Sequence, residues 1–196
     1  MLRISGGERL KNRKLAVPET GEIRPMIERT RMALFSIIGQ DFAKDANVLD
    51  AFAGSGLLGF EAISRGAGHC SFFDLRREHL DSIRQHANAW GVSELVRTEA
   101  RDVMKTIVAG SRFRFPDGKD ARLVFLDPPH ALSDDRDSSY YYWMERLDEA
   151  PTFGPETLIV FGHHARLDLD DELGGLRKLD HRKYGKVAIS MWELRT

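Results

Sequence analysis

The sequence predicts an α/β protein: a mostly parallel, seven-stranded sheet with helices on both faces and a C-terminal antiparallel hairpin, preceded by a small N-terminal arm. Three observations carry this. From Asn47 onward, short apolar runs alternate with amphipathic stretches at helical spacing, as strands joined by crossover helices do. The apolar runs end repeatedly on an acid (Asp50, Asp74, Asp127), so polar chemistry collects where strands stop. The last segment, LRKLDHRKYGKVAISMWEL, reads as two strands folded back around Gly185.

Each element follows from its own signals. ISGGERLKNRKLAVP reads as a short hairpin or arm closed by Pro18, and RPMIERTRMALFSIIG places Ile27, Leu34, Phe35 and Ile38 on one helical face with Gly39 as the stop. NVLDAF is a strand, LLGFEAISRG a helix ending at Gly66, and HCSFFD a second strand. REHLDSIRQHANAWG is a helix with Leu80, Ile83, Ala87 and Trp90 inward and Gly91 at its end. LVRTEA and RLVFLD are strands separated by the short helix DVMKTIVAG and the polar loop SRFRFPDGKD. A helix from Tyr140 to Ala150 and the strand TLIVFGH precede the hairpin. Tyr140-Tyr141-Tyr142-Trp143 reads either as a half-buried helix start or as a platform on which a base stacks. The division expected is residues 1–39 as a basic arm and helix, and 40–196 as the catalytic-type α/β domain.

Composition bounds the function. The chain has 196 residues, 42% hydrophobic and 30% charged, enough for one domain with a real core. No apolar run approaches the roughly 18 residues that span a bilayer, and the N-terminus lacks the apolar core of a secretory signal. Cys70 is the single cysteine, which points to a reducing cytoplasm. Charge is uneven: residues 1–31 hold eight Lys/Arg against four acids, net +4, so the remainder carries −5 of the total −1. A basic arm on an acidic body suits a polyanionic partner met at one end, although a solvated surface segment would look similar. Seven histidines are scattered, and the adjacent His163 and His164 point to opposite faces of a strand, so no metal site is expected.

Two motifs carry chemistry. In DAFAGSGLLGFEA, Gly54, Gly56 and Gly59 satisfy G-x-G-x-x-G between a strand and a helix, and Asp74 follows Gly54 by 20 residues. Alone this is a dinucleotide fingerprint. Asp50, however, precedes Gly54 by four residues, where a carboxylate suits an ammonium or sulfonium and repels a pyrophosphate. No hydride-transfer constellation accompanies it. S-adenosylmethionine is the better fit. The second motif is Asp127-Pro128-Pro129-His130: two prolines remove two amide donors and take the chain out of the sheet at a carboxylate. A Pro-Pro turn capped by a surface Asp is the bland alternative.

With LDPP downstream, DxFxGSGxxGxEAxSRGA resembles the Rossmann-like class I methyltransferases that modify exocyclic amines. More narrowly the chain is similar to the RsmD family, which methylates N2 of a guanine in 16S ribosomal RNA of the small subunit. RISGGERLKNRKLAVP resembles that family's arm, RPMIERTRMALFSII its Arg-Pro helix, and RKYGKVAISMWEL its closing hairpin. The resemblance implies roles residue by residue. Asp50, Phe52 and the Gly54-Ser55-Gly56 loop would hold the methionine moiety. Asp74, with Leu75 beside it, would receive the ribose, and Asp102 with Val103 the adenine. Asp50 as a buried structural carboxylate, and Asp74 or Asp102 as helix caps, remain open readings. Asp127 and the Pro128 carbonyl would orient the amine of the target base, and Pro129 would hold them. His130 would stack on that base where the family has Phe or Tyr. Arg3, Arg9, Lys11, Arg13, Lys14, Arg24, Arg29 and Arg31 would contact phosphates.

The partner implied is 16S rRNA or a small-subunit assembly intermediate met by a monomer, with no membrane and no metal. Two features depart from the family pattern: Asp134, Asp135 and Asp137 make the loop near the base site acidic, and Met26 and Met32 stand where a hydroxyl residue and an acid are usual. A DNA or small-amine methyltransferase using the same DPP chemistry, and a non-catalytic RNA-binding relative, are the alternatives.

Overall fold

Short apolar runs become strands where both faces can be covered, and the burial pattern shows which runs achieve this. The computed structural model describes residues 2–16, 26–106, 113–133, 135, 136 and 138–195. They group into two units, residues 1–101 and 102–196.

In the first unit, β1 (Leu2–Arg3) pairs antiparallel with β2 (Lys14–Leu15), forming the expected arm hairpin. Ile4, Leu10 and Leu15 are its buried side. Helix α1 (Glu28–Ile38) buries Leu34, Phe35 and Ile38 as its periodicity requires. Ile27 is a correction: it is 64% exposed, because the helix begins after it and its side chain falls off the apolar face. A short α2 (Gln40–Ala43) leads into β3 (Asn47–Asp50), then α3 (Leu57–Ser64), β4 (His69–Asp74), α4 (Arg77–Ala89) and β5 (Val96–Ala100). Strands β3 and β4 are parallel, Asn47 opposite His69, and β4 is parallel to β5, Cys70 opposite Val96. All of β3 and the centre of β4 are buried, as in a parallel strand covered on both faces. Helix α4 turns His79, Leu80, Ile83 and Ala87 inward. Trp90 lies just past its end, half-buried, its ring edge-on to Phe60 at 4.9 Å.

The second unit opens with α5 (Val103–Thr106) and β6 (Ala121–Leu126), followed by α6 (His130–Ser133) and α7 (Ser139–Met144). It continues with β7 (Phe153–His164), a two-residue β8 (Glu172–Leu173), β9 (Leu176–Tyr184) and β10 (Val187–Leu194). Strand β6 runs parallel to β7, whose other edge pairs antiparallel with β10, and β10 pairs with β9 in the expected hairpin. The seven expected strand segments all form, with β8 an addition on the free side of β9. The helix expected over 140–150 is broken: α7 ends at Met144, and a 3-10 turn, Leu147–Glu149, carries Leu147 and Ala150 inward. Tyr140, Tyr141 and Trp143 are core and Tyr142 alone is exposed, so this cluster is packing and no stacking platform. The mainly parallel sheet with helices and a closing hairpin is the fold class the sequence predicts. Among the described residues no helix is long and apolar enough to cross a membrane.

Candidate active site

The glycine loop is built by its backbone. Gly54 and Gly56 take positive φ (51° and 77°), and Gly56 is the residue from which α3 departs. Gly59, one turn into α3, allows close approach to β4: a methyl there would stand 2.7 Å from the Cys70 sulfur and closer still to the Phe72 ring. Two carboxylates fasten this loop. Asp50, 2% exposed at the end of β3, accepts the Gly59 amide at 3.0 Å. Asp74, at the end of β4, accepts the Gly54 amide on Oδ2 and the Arg76 amide on Oδ1, both at 2.8 Å. The buried His79 holds Nδ1 3.0 Å from Asp74 Oδ2. A carboxylate offers about four acceptor positions, so with these three neighbours Asp74 still has capacity on Oδ1. Leu75 beside it is 71% exposed, an apolar lip next to that acceptor, while Ser55 is buried within the loop and Phe52 is half-buried. Cys70 is no nucleophile: burial pushes its thiol well above the ordinary range.

Asp102 caps α5, accepting the Met104 amide on Oδ1 at 3.1 Å, and Val103 is buried behind it. The cap is thus present. It leaves the Asp102 carboxylate partly exposed, with Lys105 Nζ 3.5 Å from Oδ2.

In the second unit the chain leaves β6 at Asp127. The carboxylate is half-buried, Pro128 buried and Pro129 exposed. The Pro129 carbonyl accepts the Leu132 amide at 2.9 Å and so starts α6, which Tyr141 secures by donating its hydroxyl to the Ser133 carbonyl at 3.0 Å. Burial, with Tyr141 and Asp127 nearby, raises the Tyr140 phenol well above its usual pKa, so it stays a neutral hydroxyl. Gly162 on β7 lies against the Asp127 side chain. The His130 side chain, Asp134 and Asp137 lie outside the described residues. Among the described residues no group of three or more His, Cys, Asp or Glu could hold a metal.

The arm divides the predicted phosphate contacts. Arg3, Arg9, Lys11, Arg13, Lys14 and Arg29 are exposed, while Arg24 lies outside the described residues. Arg31 is a correction. It is 2% exposed, paired through Nε with Glu61 at 3.2 Å, and it donates to the carbonyls of Met26 and Arg3 and to the Ser5 hydroxyl. With four of its five N–H donors committed inside the fold and only 2% of its surface exposed, this guanidinium is not presented to a phosphate. Glu61 is the residue sequence reasoning missed. Fully buried on α3, it receives the amides of Ser5 and Gly6 and the guanidinium groups of Arg31 and Arg65. Its one sequence signal is an acid at an otherwise apolar helix face, in GFEAI.

Residues 2–193 match the family described as Conserved hypothetical protein 95. The chain is 34% identical over 128 residues to ribosomal RNA small subunit methyltransferase D of Escherichia coli, an alignment covering 65% of this chain and 60% of that protein. It is 25% identical over 194 residues to YlbH of Bacillus subtilis, named as a candidate rRNA methyltransferase, covering 99% of this chain and all of that one. The solved structure of YhhF of E. coli, a methyltransferase candidate, superposes with a TM-score of 0.80 at 25% identity, over 99% of this chain and 98% of the other.

Proposed function

The chain belongs to the family described as Conserved hypothetical protein 95, the RsmD family of methyltransferases, and from that premise we propose that it methylates the exocyclic N2 amine of a guanine in small-subunit ribosomal RNA, with S-adenosylmethionine as donor. The observation that carries this reading is the half-buried Asp127 carboxylate, fixed by Pro128 and Pro129 where β6 stops. In the first unit the glycine loop, with its two fastening carboxylates, suits a cationic ligand by itself.

The residues present fit the donor. Asp50 supplies negative charge at the loop, Asp74 keeps acceptor capacity for a ribose hydroxyl, Leu75 offers apolar surface, and Asp102 with the Val103 amide suits an adenine edge. When bound, the donor supplies an electrophilic methyl group on a sulfonium sulfur. The amine of guanine is a poor nucleophile because its lone pair is delocalised into the ring. Asp127 accepts one of its N–H bonds and the Pro128 carbonyl can accept the other, which turns the lone pair out of the ring plane toward the methyl group. As the N–C bond forms, the S–C bond would break with its electron pair left on the thioether sulfur, and the proton the nitrogen must then lose would pass to the Asp127 carboxylate. The prolines hold both acceptors without a side-chain entropy cost at the moment of reaction.

The test is methyl transfer from labelled S-adenosylmethionine to small-subunit RNA, and to subunits from cells lacking this modification, followed by nucleoside mass spectrometry. N2-methylguanosine is expected, and Asp127→Ala should lower the rate on the order of 10² to 10³ while binding the donor as the parent does. A protein that binds the donor but methylates another position, or an Asp127→Ala variant at the parent rate, overturns the reading.

A further inference from the structure

We infer that Gly162 is a positioning residue for Asp127, an assignment that rests on Asp127 being the amine acceptor. Strands β6 and β7 run parallel in register through Leu126 opposite Phe161, so the next pair places Asp127 beside Gly162. There β6 stops, while β7 continues to His164 and is held on its far edge by β10, with Gly162 opposite Ile189. The carboxylate therefore lies on a braced strand at a position that lacks a side chain. A methyl group built on Gly162 would fall inside 3.0 Å of Asp127 Oδ1, a separation real Cβ atoms do not show, with Asp127 Cγ at 3.2 Å and Asp127 Cα at 3.8 Å the next atoms met. All three nearest atoms belong to Asp127.

The backbone does not demand glycine here. Gly162 is absent from the residues of positive φ, so an L-residue could adopt its conformation. What the missing side chain provides is the volume the carboxylate occupies. Any larger residue must push that carboxylate off the strand, and an acceptor moved by about 1 Å can cost on the order of 10²-fold in rate. Gly154, at the other end of β7, is a matched comparison: a methyl there would crowd Asp120, an exposed side chain on the approach to β6 and not a residue of the DPP turn.

Gly162→Ala should lower kcat by about 10- to 100-fold, with the KM and calorimetric Kd for S-adenosylmethionine and the melting temperature close to the parent values. Gly154→Ala should keep the parent kcat. In an Asp127→Ala background, Gly162→Ala should cost nothing further, because it acts through the group already removed. A readout independent of turnover is the carboxyl carbon resonance of Asp127 followed through pH, which should move in Gly162→Ala and stay in Gly154→Ala. Parental kcat in Gly162→Ala, an additive loss in the double variant, or an unmoved Asp127 titration would each overturn the assignment. If Asp127→Ala itself is fully active, the acceptor reading fails; if Asp127→Ala is inactive and Gly162→Ala is normal, only the Gly162 assignment fails.

Discussion

Asp74 shows how much one carboxylate can be asked to do. It fastens Gly54, turns the chain into α4 through Arg76, and lies beside the buried His79, yet keeps acceptor capacity toward the exposed Leu75. Asp74→Ala should weaken S-adenosylmethionine by about 1.5–3 kcal/mol, the range for a hydrogen bond to a charged group. Part of that loss comes from freeing the Gly54 amide. Calorimetry with the donor and its demethylated product checks this, and equal affinity in parent and variant would remove Asp74 from the binding role. His163 offers a residue-scale test of stability. It is 1% exposed, its ring stacked on Phe161 at 4.8 Å and on His181 at 5.5 Å, with Nε2 2.7 Å from the Ser190 hydroxyl and Nδ1 3.1 Å from the His164 carbonyl. Burial first, then the charges of His181, Lys178 and Lys183, pushes its pKa down to about 4. The unfolded chain takes up that proton near pH 6.5 and the folded chain does not. The stability from a neutral His163 is therefore full above about pH 6.5 and is lost as pH falls toward about 4, by up to about 3 kcal/mol. His181 is shifted in the same direction, mainly by burial, and adds to the same window. Urea midpoints between pH 4 and 7.5 should vary less in His163→Gln than in the parent.

Elements are held by contacts that sequence reading reaches unequally. The glycine loop and the DPP turn are legible because their residues are contiguous and each carries its own constraint: positive φ, a missing amide, an acid at a strand end. Glu61 is not legible as a hub, because the Ser5 amide it accepts is 56 residues away and the Arg31 it pairs with is 30 away. Arg31 is misread for the same reason: its charge is visible in the sequence, and its commitment to α3 is not. Gly162 reads as an ordinary glycine in a strand until β6 is laid beside it. The hub has a measurable weight. Glu61→Ala leaves two guanidinium groups without their carboxylate, one of them fully buried, and removing one partner of a buried pair costs about 3–5 kcal/mol. Chemical denaturation should register a loss of that order, with arm amides losing hydrogen-exchange protection first. An unchanged midpoint would mean the arm is held by its apolar side alone.

At the scale of the whole molecule, a net charge of −1 conceals a basic end. Among the described residues its exposed cations, Arg3, Arg9, Lys11, Arg13, Lys14 and Arg29, remain for phosphates once Arg31 is withdrawn. Each cation that displaces a counterion adds about 0.7–0.9 to the slope of log affinity against log salt. Neutralising Lys11, Arg13 and Lys14 together should shallow the slope for small-subunit RNA by about 2 to 3, whereas Arg31→Gln should leave the slope alone and lower stability. Binding that ignores all these changes would make the arm scaffold and remove RNA as its partner. The anchoring of that arm also fixes an order of events. The amides of Ser5, Gly6 and Leu10 find their acceptors on Glu61 and Ser64, 54 to 56 positions downstream, and no local contact can substitute for closing so long a loop. As the chain is synthesised, its cationic tip therefore emerges well before the helix that will dock it. The arm can close its own hairpin early, but it gains its anchorage only when α3 is complete.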